Sequence, residues 1–473
     1  MKLFHSHLGR LLLYAAAGVG FFVITSCGAL PVMELPEEDA RPVDAAGFRL
    51  LTRFVHLSDT HIMDEESPAR LAALGDLSAS AWRPNEAYST QILDGFIRTI
   101  NQWHVARAPI DFVVVTGDAL DNMQRNELRW LMTCFDGGNI DPQSGPDDRP
   151  MDERPPPLLD PYHPFTAQGL YQRGVHGDSE TIDWYMVMGN HDRFAQGTLP
   201  VVFDFFGHRV APIPVQSRLG LFLPLLLNPL SAWAFSPISP AFPLPRPSSL
   251  FGQRIEPNMD RAFITNGEFV RAHHRSRTSP TGHGFDAQEP KRTWYGVSPV
   301  PGLRLVALNS STPAIEQPAL LYSEGAISVE QVSFLAAELE RAEENDEIVI
   351  LATHHPATSL QWQLGTALTA SNLVPLLQRH PLVRLHLAGH WHVNAVMDRT
   401  SYLEMVTGST LDAPQLARVV EIWRSADDVE IRYRYLSHLE RVSPVEPGQA
   451  SLFDDPLFGL REIGNDLAIL NPP

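Results

Sequence analysis

Short apolar runs, mostly β-branched, recur along the chain and break off at Asp, Asn or His. They read FVHLSDTH at 54–61, DFVVVTGDALD at 111–121, WYMVMGNHD at 184–192, EIVILATHHP at 347–356 and LHLAGHWH at 385–392. A short apolar run bounded by polar turn residues predicts a buried strand. Between the first two runs, Tyr88, Ile92, Phe96, Ile97, Ile100 and Trp103 repeat at helical spacing. Strand 54–59, helix 85–107 and strand 111–116 therefore read as a βαβ unit, which places the strands parallel. Parallel strands bring their carboxyl ends to one edge, where α/β folds put their chemistry.

The same reading predicts a second helix over 121–134, beginning in the acidic DALDNM stretch. A strand at 303–311 and a helix at 328–344 follow, the latter with Val329, Val332, Leu335, Leu339 and Ala342 on one face. Strand 347–352, a helix near 366–379 and strand 383–388 complete the regular part. YLEMVTG, ARVVEIWRS and VEIRYRYLSH then read as consecutive, mostly antiparallel strands. Two long insertions without periodicity, 137–180 and 195–290, interrupt the pattern. The second contains an apolar stretch at 217–245, but Pro224, Pro229, Pro237 and Pro240 rule out a spanning helix. It is a possible cap over the pocket mouth, either meeting a lipid or simply packing on the domain. His273, His274 and His283 fall in its polar loop, and SPTGHGF reads as a turn. The domain is expected over 51–445, with a Pro-containing tail at 446–473.

Net charge is −19, and Lys2 and Lys291 are the only lysines among 473 residues. An acidic surface argues against sequence-independent nucleic-acid binding, and no sequence-specific nucleic-acid partner is expected. Lys2 and Arg10 precede an apolar run at 11–25 that is short for a membrane span but suits a secretory signal. It ends in Ile24-Thr25-Ser26-Cys27, which resembles a bacterial lipobox. The resemblance implies a signal peptide over 1–26, lipidation and membrane attachment at Cys27, and a tether over 27–50. The expected location is the cell envelope, facing the periplasm or exterior. The sequence carries no sign of the oligomeric state.

Asp59 and His61, and again His390 and His392, are two apart, so period-2 geometry sends each pair the same way. Asp118 has two oxygens able to bridge two ions, and Asn190 offers a neutral amide oxygen. Oxygen and nitrogen donors without thiolate suit a first-row metal. Taken in order, the five blocks resemble the calcineurin-like metallophosphoesterase superfamily, with its D-x-H, G-D-x-x-D, G-N-H-D/E, H-x-P-type and G-H-x-H signatures. The resemblance covers 54–392 and implies a four-layer α/β/β/α sandwich of two mixed sheets flanked by helices.

Carried over by position, the resemblance implies that Asp59, His61, Asp118 and His392 hold one metal. Asp118, Asn190, His354 and His390 hold the second, with His354 chosen over His355 because it stands two before Pro356. The resemblance further implies hydrolysis of a phosphomonoester or phosphodiester by a metal-bridging hydroxide. In it His191 serves as proton donor, and Asp121 orients the His191 ring. The implied cofactors are two divalent or trivalent ions, with Mn, Zn or Fe as the candidates. No Tyr stands three after Asp118, which disfavours a purple Fe(III) centre. The alternative is a non-catalytic binding lipoprotein on the same fold. Such a degenerate member should have lost a ligand, and every one is present.

Overall fold

The computed structural model describes residues 48–64, 67, 85–145, 160–194, 197, 259–311, 324–361, 366–425 and 428–439. Cys27, the signal and tether, the apolar stretch at 217–245 and the tail lie outside the described residues. Strand β1 (Arg49–Leu57), helix α1 (Ser89–Ala106) and β2 (Phe112–Val115) form the expected βαβ unit. Helix α2 (Arg125–Asp136), the short strands β3 (Gly138–Ile140) and β4 (Phe165–Ala167), and β5 (Asp183–Met186) follow. Helix α3 (Asn266–Arg275) leads to β6 (Tyr295–Val297), β7 (Leu303–Ala307) and β8 (Ile327–Ser328). Then come α4 (Val329–Asn345), β9 (Ile348–Ala352), β10 (Thr366–Leu368), α5 (Ala370–Gln378) and β11 (Val383–Ala388). Strands β12 (Ala395–Asp398), β13 (Leu403–Val406), β14 (Leu416–Arg424) and β15 (Val429–Ser437) close the described chain.

Two mixed sheets carry the fold. The first has the order β15-β14-β1-β2-β5, with β1, β2 and β5 parallel and β14 and β15 antiparallel. The second has the order β12-β13-β11-β9-β7-β6, with four parallel inner strands and antiparallel edges. Period-2 alternation divides the second sheet into two apolar faces. Leu305, Ile350, Leu385 and Met405 share one buried core with Phe54, Phe112 and Val114 of the first sheet. Val306, Val349 and Leu351 pack instead with Leu335 and Leu339 of α4 and Leu373 and Leu377 of α5. This is the expected α/β/β/α sandwich. Among the described residues no helix is long and apolar enough to cross a membrane.

Four expectations need correction. Helix α2 starts at Arg125, not 121, because 117–124 winds as a loop past the strand end. The Glu127 carboxylate accepts from the backbone amides of Asn122 and Gln124, which holds that loop ahead of the first helical turn. The YLEMVTG strand, β13, does not pair with β14. It joins the second sheet parallel to β11, and the chain crosses to the first sheet only between Val406 and Leu416. Its antiparallel partner is β12, which the periodicity did not reveal.

The insertions are also more ordered than their patterns suggest. β3 and β4 pair within 137–180, but three-residue strands are too short to show a period. The described end of the second insertion is not all loop: a helix precedes the turns, and 279–285 is a turn as expected. Helix α3 carries His273 and His274, and a Thr265–Glu268 capping box fixes its start. Beyond it, Ser279 O accepts from Trp184 N and His283 O from Met186 N, so this segment covers the open edge of β5.

Candidate metal centre

All five polar blocks sit just beyond the carboxyl ends of parallel strands. Asp59 and His61 follow β1, Asp118 follows β2, and Asn190 and His191 follow β5. His354 follows β9, and His390 and His392 follow β11. Ten non-glycine residues of the described chain have left-handed backbone, and five belong to these turns. They are Asp59, His61, Asp118, His390 and His392, with φ of 50°, 41°, 49°, 68° and 56°. Each costs about 1–3 kcal/mol and persists only where surrounding bonds impose it. Here Asp59 N donates to Gly117 O, His61 N to Asp118 O and Gly389 N to His354 O, at 2.9–3.0 Å. Close approach explains two glycines: a Cβ at Gly189 would overlap the Asp118 carboxylate, and one at Gly389 would overlap Ser58 and Asp59.

The structure brings Asp59, His61, Asp118 and His392 together, with one potential ligand atom from each lying within 4.8 Å of all the others. His392 Nε2 stands 3.2 Å from Asp59 Oδ1 and 3.1 Å from His61 Nε2. Its other ring nitrogen, Nδ1, binds the Asp412 carboxylate, which leaves Nε2 for a ligand. A carboxylate behind a metal-binding imidazole is the usual device for fixing its tautomer.

The second set adjoins the first through Asp118. His354 Nε2 lies 3.1 Å from Asp118 Oδ2, while its Nδ1 is held by Thr116 O at 2.8 Å. The His390 ring centroid is 5.2 Å from that of His354. Asn190 Nδ2 donates to Gly197 O at 3.0 Å, which turns Oδ1 the other way. That oxygen is buried and has no hydrogen-bond partner among the described residues. His355 also comes close enough to group with His354 and His390, but its Nδ1 is engaged by Ser310 Oγ at 2.8 Å.

His191 and Asp121 meet differently from the expectation. His191 Nδ1 lies 2.8 Å from the backbone carbonyl of Asp121 and 3.7 Å from its carboxylate. That carboxylate stands nearer His61, 3.2 Å from Nδ1. Asp121 thus holds the His191 ring through its main chain and braces His61 through its side chain.

Two further carboxylates shape the centre. Asp192 accepts from Leu120 N and Gly189 N at 2.9 and 2.8 Å, clamping two of the strand-end turns together. Burial, reinforced by the Asp118 charge, raises its pKa to about 7. Asp192 was visible within the GNHD block, but its role as a clamp was not. Asp412 had no signal beyond being a lone acid in the GSTLD turn, 20 residues after His392.

The electrostatics favour a cation. Burial works against the charged form of His354, yet the Asp118 charge overrides it and holds the ring up to about 9. Burial is likewise overcome at His392 by Asp412 and Asp59, to about 10. At His390 burial and the His354 charge act together and bring it to about 3. Burial raises Asp59, but the His392 charge outweighs it and leaves the carboxyl at about 2. The carboxylates therefore draw protons onto the imidazoles, and a metal ion competes for those same positions. With the buried Asn190 oxygen and the absence of thiolate from the donor set, the residues fit hard or borderline first-row ions.

Comparison with known proteins gives a family match. The model of the family described as calcineurin-like phosphoesterase matches residues 52–394, well over half of the chain. No curated protein matched. Among solved structures, a dimetal phosphatase from Danio rerio aligns with a TM-score of 0.38 and 14% identity, covering 81% of this chain and 99% of its own. GAP50, the anchor in the inner membrane complex of Plasmodium, aligns with a TM-score of 0.34 and 12% identity, covering 82% and 89%. At such identities the likeness concerns the fold alone.

Proposed function

This chain belongs to the calcineurin-like phosphoesterase family, and on that premise we propose that it hydrolyses phosphomonoesters or phosphodiesters with two bound metal ions. The observation that carries the reading is the convergence of Asp59, His61, Asp118 and His392 within 4.8 Å, beside the Asn190 oxygen that has no partner among the described residues. Asp118 is the shared ligand. Asn190, His354 and His390 complete the second set. Mn, Zn or Fe ions, when bound, neutralise phosphoryl charge and lower the pKa of a coordinated water.

The chain's own residues do the rest. Asp118 Oδ1 accepts the His191 amide at 2.8 Å, so the shared carboxylate and the proton donor are fixed to each other. A carbonyl oxygen only accepts, so His191 Nδ1 carries a hydrogen toward Asp121 O. Nε2 is then the ring nitrogen left to deliver a proton to the leaving oxygen, from the imidazolium form that carries a hydrogen on both nitrogens, returning to the neutral Nδ1–H ring. Asp192 and Gly189 keep the turn that presents Asn190 and His191 against the Asp118 turn.

The proposed setting is the bacterial cell envelope. Residues 1–26 serve as an export signal, Cys27 carries lipid, and 27–50 tether the domain at 51–445. The described end of the second insertion closes a sheet edge, so a cap over the pocket falls to the apolar part of 195–290. Chelation of the protein lacking residues 1–27 is expected to abolish hydrolysis of aryl mono- and diesters. Mn²⁺, Zn²⁺ or Fe is expected to restore it. A metal-loaded protein inactive on a broad ester panel would indicate a binding lipoprotein instead.

A further inference from the structure

A file of buried polar side chains runs between the two sheets and ends on Asp59. It begins at Arg418 on β14, a guanidinium wholly buried in the protein interior. Its polar partners include Val406 O, Thr407 Oγ1, Ala395 O and the Tyr435 side chain, with the Tyr433 and Tyr435 rings beneath it. Thr407 Oγ1 accepts from Arg418 Nη1 at 2.8 Å and reaches His56 Nδ1 at 2.7 Å. His56 Nε2 reaches Thr116 Oγ1 at 2.8 Å. Thr116 Oγ1 donates to Ser58 Oγ at 2.8 Å, and Ser58 Oγ donates to Asp59 Oδ2 at 2.6 Å. Every member of the file is at most 1% exposed.

The two ends fix the direction of every bond. A guanidinium can only donate, and an ionised carboxylate can only accept. Thr407, Thr116 and Ser58 each have one hydroxyl proton, and each spends it toward Asp59. His56 must then accept at Nδ1 and carry its hydrogen on Nε2. Burial and the nearby Arg418 charge push its pKa well below the ordinary value, so the ring stays neutral as that pattern requires. A continuous buried file of this kind strengthens along its length, although Arg418 Nε at its head has no hydrogen-bond partner among the described residues.

We infer that the file Arg418–Thr407–His56–Thr116–Ser58 is a positioning device for one metal ion. Together with His390 N, which lies 3.0 Å from Asp59 Oδ2 and 3.2 Å from Oδ1, it fixes the carboxylate so that Oδ1 faces His392 Nε2 at 3.2 Å and His61 Nε2 at 4.0 Å. Among the described residues the file meets the second set only through main-chain atoms, His390 N on the Asp59 carboxylate and Thr116 O on His354 Nδ1, which side-chain variants of Thr407 and Thr116 leave in place. The inference rests on the two-metal reading above. It adds that a residue of the second sheet sets the geometry of a ligand on the first.

The test is Mn²⁺ binding by calorimetry and Mn²⁺ electron paramagnetic resonance on the wild type, Thr407→Val, Thr407→Ser and Thr116→Val. Valine keeps the shape of threonine and deletes the hydroxyl, while serine retains it. The wild type is expected to bind two ions with a spin-coupled signal. Both valine variants are expected to lose affinity at one position by about 10- to 100-fold, the range for outer partners of metal ligands. They should show isolated Mn²⁺ at concentrations that couple the wild type, and Thr407→Ser should restore coupling. Two sites of unchanged affinity in Thr407→Val, in protein that folds, would overturn the positioning role. A wild type that binds no Mn²⁺ would instead overturn the two-metal reading and the inference with it.

Discussion

Among the described residues two clusters of histidine stand in different electrostatic surroundings. At the strand ends, His61, His354, His390 and His392 stand among Asp59, Asp118, Asp121 and Asp412. On the β5 edge, His273 and His283 flank Trp184, with His283 stacked on the indole at 3.8 Å and His273 tilted at 5.5 Å. Left-handed backbone does not separate the two, because His283 has φ of 49° as well. Nor does an unsatisfied nitrogen, since both His273 Nε2 and His283 Nε2 lack a hydrogen-bond partner among the described residues. The carboxylates separate them. Burial, with neighbouring histidines adding to it and no carboxylate opposing it, lowers His273 to about 4 and His283 to about 2, leaving neutral rings that pack as aromatics. At the centre negative charge outweighs burial at His354 and His392, while His390 stays low like the edge pair but stands beside them.

The largest effect expected follows from Asp118→Ala, which removes the carboxylate both sets share. Hydrolysis should fall to background and metal content below one ion per chain by elemental analysis. A variant that keeps two ions would break the contrast drawn above. Next is His191→Ala, for which kcat should fall by about 10²–10⁴-fold while both ions remain. Loss of metal in that variant would move His191 from proton donor to ligand.

A smaller effect is expected from Asp121→Asn and Asp412→Asn, which weaken carboxylates behind His61 and His392. Metal affinity should drop by about 10- to 100-fold, with kcat at saturating metal changed less. For Asp121 this split separates its brace on His61 from a direct role in orienting His191. Smallest at the centre is His273→Phe, which should leave metal binding and kcat unchanged.

That last variant should nevertheless change the pH dependence of stability. The folded pKa of His273 lies below its ordinary 6.5, so its contribution is fully present above 6.5 and is lost as pH falls toward about 4. The loss is on the order of 3 kcal/mol, and the Phe variant should lose about that much less than the wild type in urea unfolding followed across that range, His283 contributing equally to both.

The contrast also explains what could be read from sequence. The metal blocks were legible because each is a short string fixed to a strand end, and their order implied one edge. The parallel core was legible for the same reason, since Val113, Val114 and Val115 are long enough as a run to mark a buried strand. His273 and His283 read as loop residues because their burial is imposed by Trp184, some 90 positions earlier, and by an edge they cover. Strands β3, β4 and β12 have three or four residues, too few for a period to stand out. The placement of β13 and the bond from Asp412 to His392 depend on which sheet the chain enters next. No local pattern encodes that choice.

The central claim is that the strand-end histidines bind metal through these ligands and the edge histidines do not. Anomalous diffraction from crystals of the Mn²⁺-loaded protein tests it most directly. Two peaks are predicted, one among Asp59, His61, Asp118 and His392 and one among Asp118, Asn190, His354 and His390. No peak within bonding reach of Asp118, or a peak between His273 and His283, would contradict it.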